Sequence, residues 1–240
     1  MKNKDIGEFY FLDTSIDGEG KRITRRFLKE VSIKTVENCV RQMKIIGQSP
    51  VAYRERQLNT ILVPALDNVS DAFLVESAVS REWSLMNNQM IEDNHGWVDY
   101  WCLYKDYNFY IELKHGFISY RNGKLRQSVK NDWQTACNQL DVLQSELNVQ
   151  KEYAKGIFRI TLQVLPIYIR TSKKEDIKID INKINDIQTK AMTEISSSRP
   201  ANWSCLWSVD ESIRELYEIG DGYEMYPAVL FLGNISEITK

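Results

Sequence analysis

Asp99, Glu112 and Lys114 are the residues of this sequence whose types and spacing best suit joint chemistry. They fall in HGWVDYWCLYKDYNFYIELKHGF, where Trp97–Tyr104 and Phe109–Phe117 are aromatic and β-branched enough to read as strands joined by the polar turn Lys105–Asn108. Alternation sends Phe109, Ile111 and Leu113 to one face and Tyr110, Glu112 and Lys114 to the other. A two- or four-residue loop pairing Tyr104 with Phe109 sets Asp99 across from Lys114 and diagonal to Glu112, within about 5 to 8 Å. A three- or five-residue loop sends Asp99 to the opposite face. Two carboxylates that close repel unless a cation lies between them. Hard oxygen ligands with open positions suit Mg²⁺ (or Mn²⁺), and a lysine beside such an ion can orient or deprotonate water or neutralise a phosphoryl oxygen. The chemistry within reach is metal-assisted hydrolysis of a phosphodiester.

Several elements must position these groups. Phe27, Val31, Val36, Val40, Met43 and Ile46 recur at helical spacing, predicting a helix from Ile23 to Ile46 closed by Gly47. Leu58, Ile61, Leu62, Ala65 and Leu66 predict a second helix from Tyr53 to Val69, kinked by Pro64. Residues 72–83 fit a strand better than a helix. After Gly123 a stripe from Leu125 through Val129, Trp133, Cys137, Leu140 and Leu143 to Leu147 predicts a helix. Phe158–Val164 alternates as a strand, 173–195 reads as helix, and Trp203–Val209 and Tyr226–Leu232 read as strands. The order is that of an α/β chain. No repeat or linker divides it, so one domain is expected: an N-terminal extension with a long helix over 1–50, then a core with a C-terminal elaboration over 51–240.

The chain has 240 residues, enough for a self-sufficient core. Its 31 Lys and Arg against 33 Asp and Glu argue against coating nucleic acid with the whole surface, though not against a local patch. Cys39, Cys102, Cys137 and Cys205 are scattered, with only His95 and His115 beside them, so a structural zinc site is not expected. The thiols fit a reduced, cytoplasmic setting, and no apolar run approaches a membrane span.

Gly96-Trp97-Val98-Asp99, a short hairpin, then Ile111-Glu112-Leu113-Lys114 resembles the PD-(D/E)XK nuclease superfamily, the restriction-endonuclease-like fold. The resemblance covers roughly residues 53–170 and implies an αβββαβ core, a mixed sheet flanked by helices. It implies that Asp99, Glu112 and the main-chain carbonyl of Leu113 bind Mg²⁺ and that Lys114 assists catalysis. Glu55 is the first choice for an acid from the first core helix, with Glu76 and Glu82 as alternatives. Gln127, Lys130 and Gln134 lie along the helix after the motif, and Gln134 is the choice there. DNA is the implied partner, many relatives dimerise, and the family spans restriction, repair and phage or mobile-element functions. A non-enzymatic binding or assembly module on the same fold is the alternative.

Other features are weighed against plainer readings. Arg22, Arg25, Arg26 and Lys29 form a basic stripe suited to phosphates, although such stripes are usually solvated helix faces. Trp97, Tyr100, Trp101, Tyr104, Tyr107 and Tyr110 read as core packing before base stacking. His115, on the opposite face from Lys114, reads as packing or hydrogen bonding. Asp13–Gly20 faintly resembles a calcium loop but has Thr24 where the bidentate Glu belongs.

Overall fold

In the computed structural model, residues 1–3, 5–14, 16, 20–81, 94–141, 143, 154–174 and 177–238 are described. Their elements run β1 (Lys2–Asn3), β2 (Gly7–Asp13), α1 (Lys21–Ile46), α2 (Glu55–Val69), β3 (Ala72–Arg81), β4 (Asn94–Tyr104), β5 (Tyr107–His115), β6 (Ile118–Ser119), α3 (Gln127–Asp141), β7 (Gly156–Thr171), α4 (Ile181–Glu194), β8 (Trp203–Val209), β9 (Tyr217–Ile219) and β10 (Gly222–Glu237). The chain is α/β. Its mixed sheet is ordered β1-β2-β8-β10-β7-β5-β4-β3, with β6 beside β7 and β9 beside β10. The pairs β5–β7 and β6–β7 are parallel and the others antiparallel.

Both faces of the sheet are covered. On one, Phe27, Val31 and Val40 of α1 and Leu58, Ile61 and Leu62 of α2 pack over Tyr100, Cys102, Phe109, Ile111 and Leu113. On the other, Val129, Trp133 and Cys137 of α3 and Ile184 and Ile187 of α4 pack over Leu165, Ile167, Leu206 and Leu230. The segment expected as an N-terminal extension contributes β2 to the sheet, through Phe9↔Trp207 and its neighbours, and α1 to the core.

Helix ends follow local chemistry. Gly47 closes α1 at φ 63°, its N–H on the Met43 carbonyl, a left-handed cap that glycine adopts without steric cost. Pro64 lies inside α2 on its exposed side and has no N–H for the Thr60 carbonyl one turn earlier. Gln42 of α1 donates to that carbonyl instead at 2.9 Å, and Asn38 to Ile61 at 3.0 Å, so the proline's cost becomes a helix–helix contact. α4 is shorter than expected because Asp180 caps it, accepting the Asn182 N–H at 2.9 Å.

The hairpin departs from expectation. Its turn is only Lys105–Asp106, at φ 50° and 67°, and pairs Tyr104 with Tyr107 instead of Phe109. Two successive positive φ angles make the tight turn whose twist matches the flanking strands. Asp71 accepts the Lys105 N–H at 2.6 Å, and Asp106 holds Lys155 at 2.6 Å. The register moves by two residues, an even step that leaves facing unchanged.

Among the hairpin aromatics Tyr100, Tyr104 and Tyr110 are buried, as expected, whereas Trp97 is 62 % exposed. Phe109 sits between Phe27, stacked at 4.3 Å, and Phe158 at 5.6 Å. Phe109→Ala is expected to destabilise the fold by about 3–5 kcal/mol. The check is a lower urea midpoint with an unchanged slope.

Candidate active site

The sheet is irregular where chemistry was expected. Val98 packs with Tyr110 under α3, while Tyr100, two residues on, packs with Ile111 under α1 and α2. A regular strand puts positions two apart on one face, so β4 turns over at Asp99. The β3–β4 ladder carries Val75↔Tyr100 and Ser77↔Val98 and skips the pair Glu76–Asp99 between them, and Glu76 is held at φ 51°. The β4–β5 ladder ends at Tyr100↔Ile111. Beyond it Asp99 Oδ2 accepts the Leu113 N–H at 2.7 Å, replacing the main-chain contact that a continuing ladder would supply. Asp99 is therefore level with Glu112, not Lys114 as the sequence suggested.

Glu112 is 3 % exposed and its Oε1 accepts from Lys114 Nζ at 3.0 Å. Burial works to lower the Lys114 pKa, but the hydrogen-bonded Glu112 carboxylate, then Asp99 and Glu55, outweigh it and hold the ammonium above its ordinary range. Glu55, first residue of α2, has its pKa raised by burial and by the charges of Asp99 and Asp132, against the pull of Lys114 and the His115 N–H. Three elements thus deliver charge to one place, α2, β4 and β5, while the exposed Asp132 of α3 acts on Glu55 more weakly. Gln163 of β7, level with Lys114, donates to the Val129 carbonyl at 3.1 Å and fixes α3 over this end of the sheet.

The other expected residues are placed elsewhere. Gln134 hydrogen-bonds Asn138 along the surface of α3 at 2.9 Å, and Gln127 does the same with Asn131. Two residues are about 200° around a helix, so Gln134 points nearly opposite to Asp132, whose charge does reach Glu55. Asp132 is the acid that sequence reasoning missed, and its spacing from Val129 and Ala136 on α3 was the available signal. Lys130 is half-buried on the flank shared with Gln134. Glu76 is exposed, and Glu82 lies outside the described residues.

The basic stripe of α1 is at the wrong end. Phe27 packs on Tyr104 and Phe109 near the hairpin turn, about 16 Å along β5 from Lys114 at 3.3 Å per residue. Arg25 pairs with Asp13 at 2.8 Å, Arg26 with Glu30 at 2.7 Å, and Lys29 stands over the Phe11 ring; Arg22 is exposed beside them. His115 behaves as expected, with Nε2 3.1 Å from the Val51 carbonyl and its ring edge-on to Phe117.

In an extended strand the N–H and C=O of one residue point the same way. The Leu113 carbonyl therefore faces the side where Asp99 meets its N–H. Among the described residues no group of three or more His, Cys, Asp or Glu surrounds one point. A cation here would rest on two carboxylates and a main-chain oxygen, a set that suits a hard ion keeping its waters. Among the described residues no helix is long and apolar enough to cross a membrane. Comparisons with family models, curated proteins and solved structures gave no match.

A carboxylate whose folded pKa is raised costs stability above that pKa and returns it as pH falls through it. Glu55→Gln is therefore expected to raise the urea midpoint at pH 7, with the gain fading as pH falls through the raised folded pKa and gone below about 4, the ordinary glutamate range. A constant gain across that range would show that Glu55 ionisation is not its cause.

Proposed function

We propose that this chain is a Mg²⁺-dependent nuclease of the PD-(D/E)XK type that hydrolyses DNA phosphodiester bonds by water attack. The observation that carries the reading is the convergence of Asp99, Glu112 and Glu55 on the Lys114 ammonium, where β4 turns away from β5. The order α2-β3-β4-β5-α3-β7, with β5 and β7 parallel, supports a restriction-endonuclease-like core.

Asp99, Glu112 and the Leu113 carbonyl would hold the ion, which when bound supplies an activated water and a counter-charge for the phosphate. Lys114, held protonated by its acidic neighbours, acts as a cation that orients water and neutralises charge on a phosphoryl oxygen. Glu112 fixes that ammonium, and the Leu113 N–H fixes Asp99. Glu55, in the first turn of α2, adds a further carboxylate charge beside Lys114 from outside the sheet. The second reading, a binding or assembly module without catalysis, is favoured by the commitment of Arg25 and Arg26 to ion pairs.

Calorimetry with Mg²⁺ or Mn²⁺ and a plasmid-nicking assay separate the two. Asp99→Ala is expected to lose both metal binding and nicking. Lys114→Ala should keep most metal affinity and lose nicking by roughly 10²-fold or more, the scale of a positioned acid–base or charge-stabilising group. Gln134→Ala should nick like wild type. Wild-type protein silent in both assays would leave the binding module as the reading.

A further inference from the structure

The carboxyl ends of the parallel strands carry a second feature, and it lies at the same end of the sheet as Lys114. A groove of about 340 Å³ is lined by Phe117, Arg126, Tyr168, Arg170, Ile219 and Tyr226, among others. Phe117 follows Lys114 by three residues and packs edge-on against both His115, at 4.8 Å, and Tyr168, at 6.3 Å. Ala52, another lining residue, lies just before Glu55 and α2. Groove and site are thus joined by two short stretches of chain, 114–117 and 52–55. Tyr168, paired with Ser119 of β6, lies five residues along β7 from Gln163, the partner of Lys114. That is about 16 Å at 3.3 Å per residue.

The lining has two kinds of group. Arg126 donates to the Tyr168 hydroxyl at 2.7 Å, its guanidinium 5.8 Å from the ring centre, and Arg170 is 55 % exposed. The acid in the groove, Glu224, accepts from the Tyr226 hydroxyl at 2.8 Å and faces Arg170 at 3.9 Å. Around it, residues 121–130 and 170–174 carry seven Lys or Arg and no acid, whereas 217–226, which supply Ile219, Glu224 and Tyr226 to the opposite wall, carry Glu218, Asp221 and Glu224 and no cation. Glu175 and Asp176, which follow Lys174, lie outside the described residues. One wall of the groove is therefore basic, with the Phe117 and Tyr168 rings beside its arginines. Phosphates satisfy the guanidinium groups, but a duplex keeps its bases stacked on one another and gives the rings nothing to hold. Unpaired bases on a phosphate backbone satisfy both.

We propose that this groove is a binding track for single-stranded DNA, with Tyr168 and Phe117 meeting bases and Arg126 and Arg170 meeting phosphates, and that it leads the strand to Lys114. Binding in the groove stands on its own geometry; delivery to Lys114 rests on the nuclease reading. The interface is then at the opposite end of the sheet from the α1 stripe.

The test is fluorescence anisotropy of a labelled 15-nucleotide oligothymidylate in EDTA, where cleavage cannot contribute. Tyr168→Leu is expected to weaken binding roughly 5- to 100-fold, the range for loss of one base–aromatic stack, while Tyr168→Phe, which keeps the ring, binds like wild type. Arg126→Gln and Arg170→Gln should each weaken binding and lower the slope of log K against log salt by about 0.7 per lost phosphate contact. Arg25→Gln and Arg26→Gln should leave affinity unchanged. Arg126 is exposed, so its variant carries the test should Tyr168→Leu fail to fold, as read by circular dichroism. Wild-type affinity in Arg126→Gln, or a duplex bound as tightly as the single strand with no loss in Tyr168→Leu, overturns the track. A protein that binds through Tyr168 but never nicks with Mg²⁺ overturns the nuclease reading alone. One that nicks while Arg126→Gln binds normally overturns the track alone.

Discussion

A carboxylate with 3 % exposure needs a partner to stay charged, and Glu112 has one in Lys114 at 3.0 Å. Such a pair is poor value for stability, because taking two charges out of water can cost as much as their attraction returns. Apolar residues of similar size under α3 would serve packing as well. Here two further acids, Asp99 and Glu55, are added around the same ammonium, so that it is surrounded by more negative charge than it can balance. Carboxylates from two strands and a helix near one ammonium are a constraint that organises the surroundings. α3 must close the face over Glu112, Gln163 must hold α3 down, and the first turn of α2 must reach round the end of β5 to present Glu55.

The backbone carries a related cost. A strand that stayed regular through Asp99 would bond Leu113 with its own main chain and place the carboxylate squarely on one face. Instead β4 turns over, and the side chain takes the N–H. The edge strand follows, with Glu76 in the left-handed region that costs a residue with a Cβ of order 1 kcal/mol or more. Strain at Glu76, burial at Glu112 and burial with nearby acids at Glu55 are further costs of the arrangement. The large aromatic stack Phe27–Phe109–Phe158, about 10 Å along β5 from Glu112 toward the hairpin turn, is where the fold is most conventional and best able to offset them.

Most of this was legible where a pattern is local. The α1 and α3 stripes and the aromatic alternation of β5 follow directly from spacing, because burial of one face imposes period on sequence. The turn was misjudged because Lys105-Asp106 lacks the glycine that usually marks two positive φ angles; Asp71 and Lys155, distant in sequence, supply the stabilisation. The union of Asp99, Glu112 and Lys114 survived that error only because the register moved by an even step. Gln134 was chosen from the helix without knowing which flank faces the strands, and a helix wheel alone does not say. β2 was unreadable for a different reason. It pairs with β8, some two hundred residues later, so its partner could not be seen in its neighbourhood.

The two ends of the sheet differ in a way that bears on function. At the hairpin end the cations are answered: Arg25 by Asp13, Arg26 by Glu30, Lys155 by Asp106. At the carboxyl ends of β5 and β7 the balance runs the other way, with acids gathered at Lys114 and cations gathered beside them around Tyr168. Lys114 and Arg170 each face an acid, Glu112 at 3.0 Å and Glu224 at 3.9 Å, but further acids stand near the first pair and Arg126 stands near the second. A polyanion bound with a divalent ion would complete both groups at once, its phosphates meeting the arginines and its metal meeting the acids. The reading as a metal-dependent enzyme acting on nucleic acid therefore draws on the charge distribution of a whole sheet end, as well as on three residues in one hairpin.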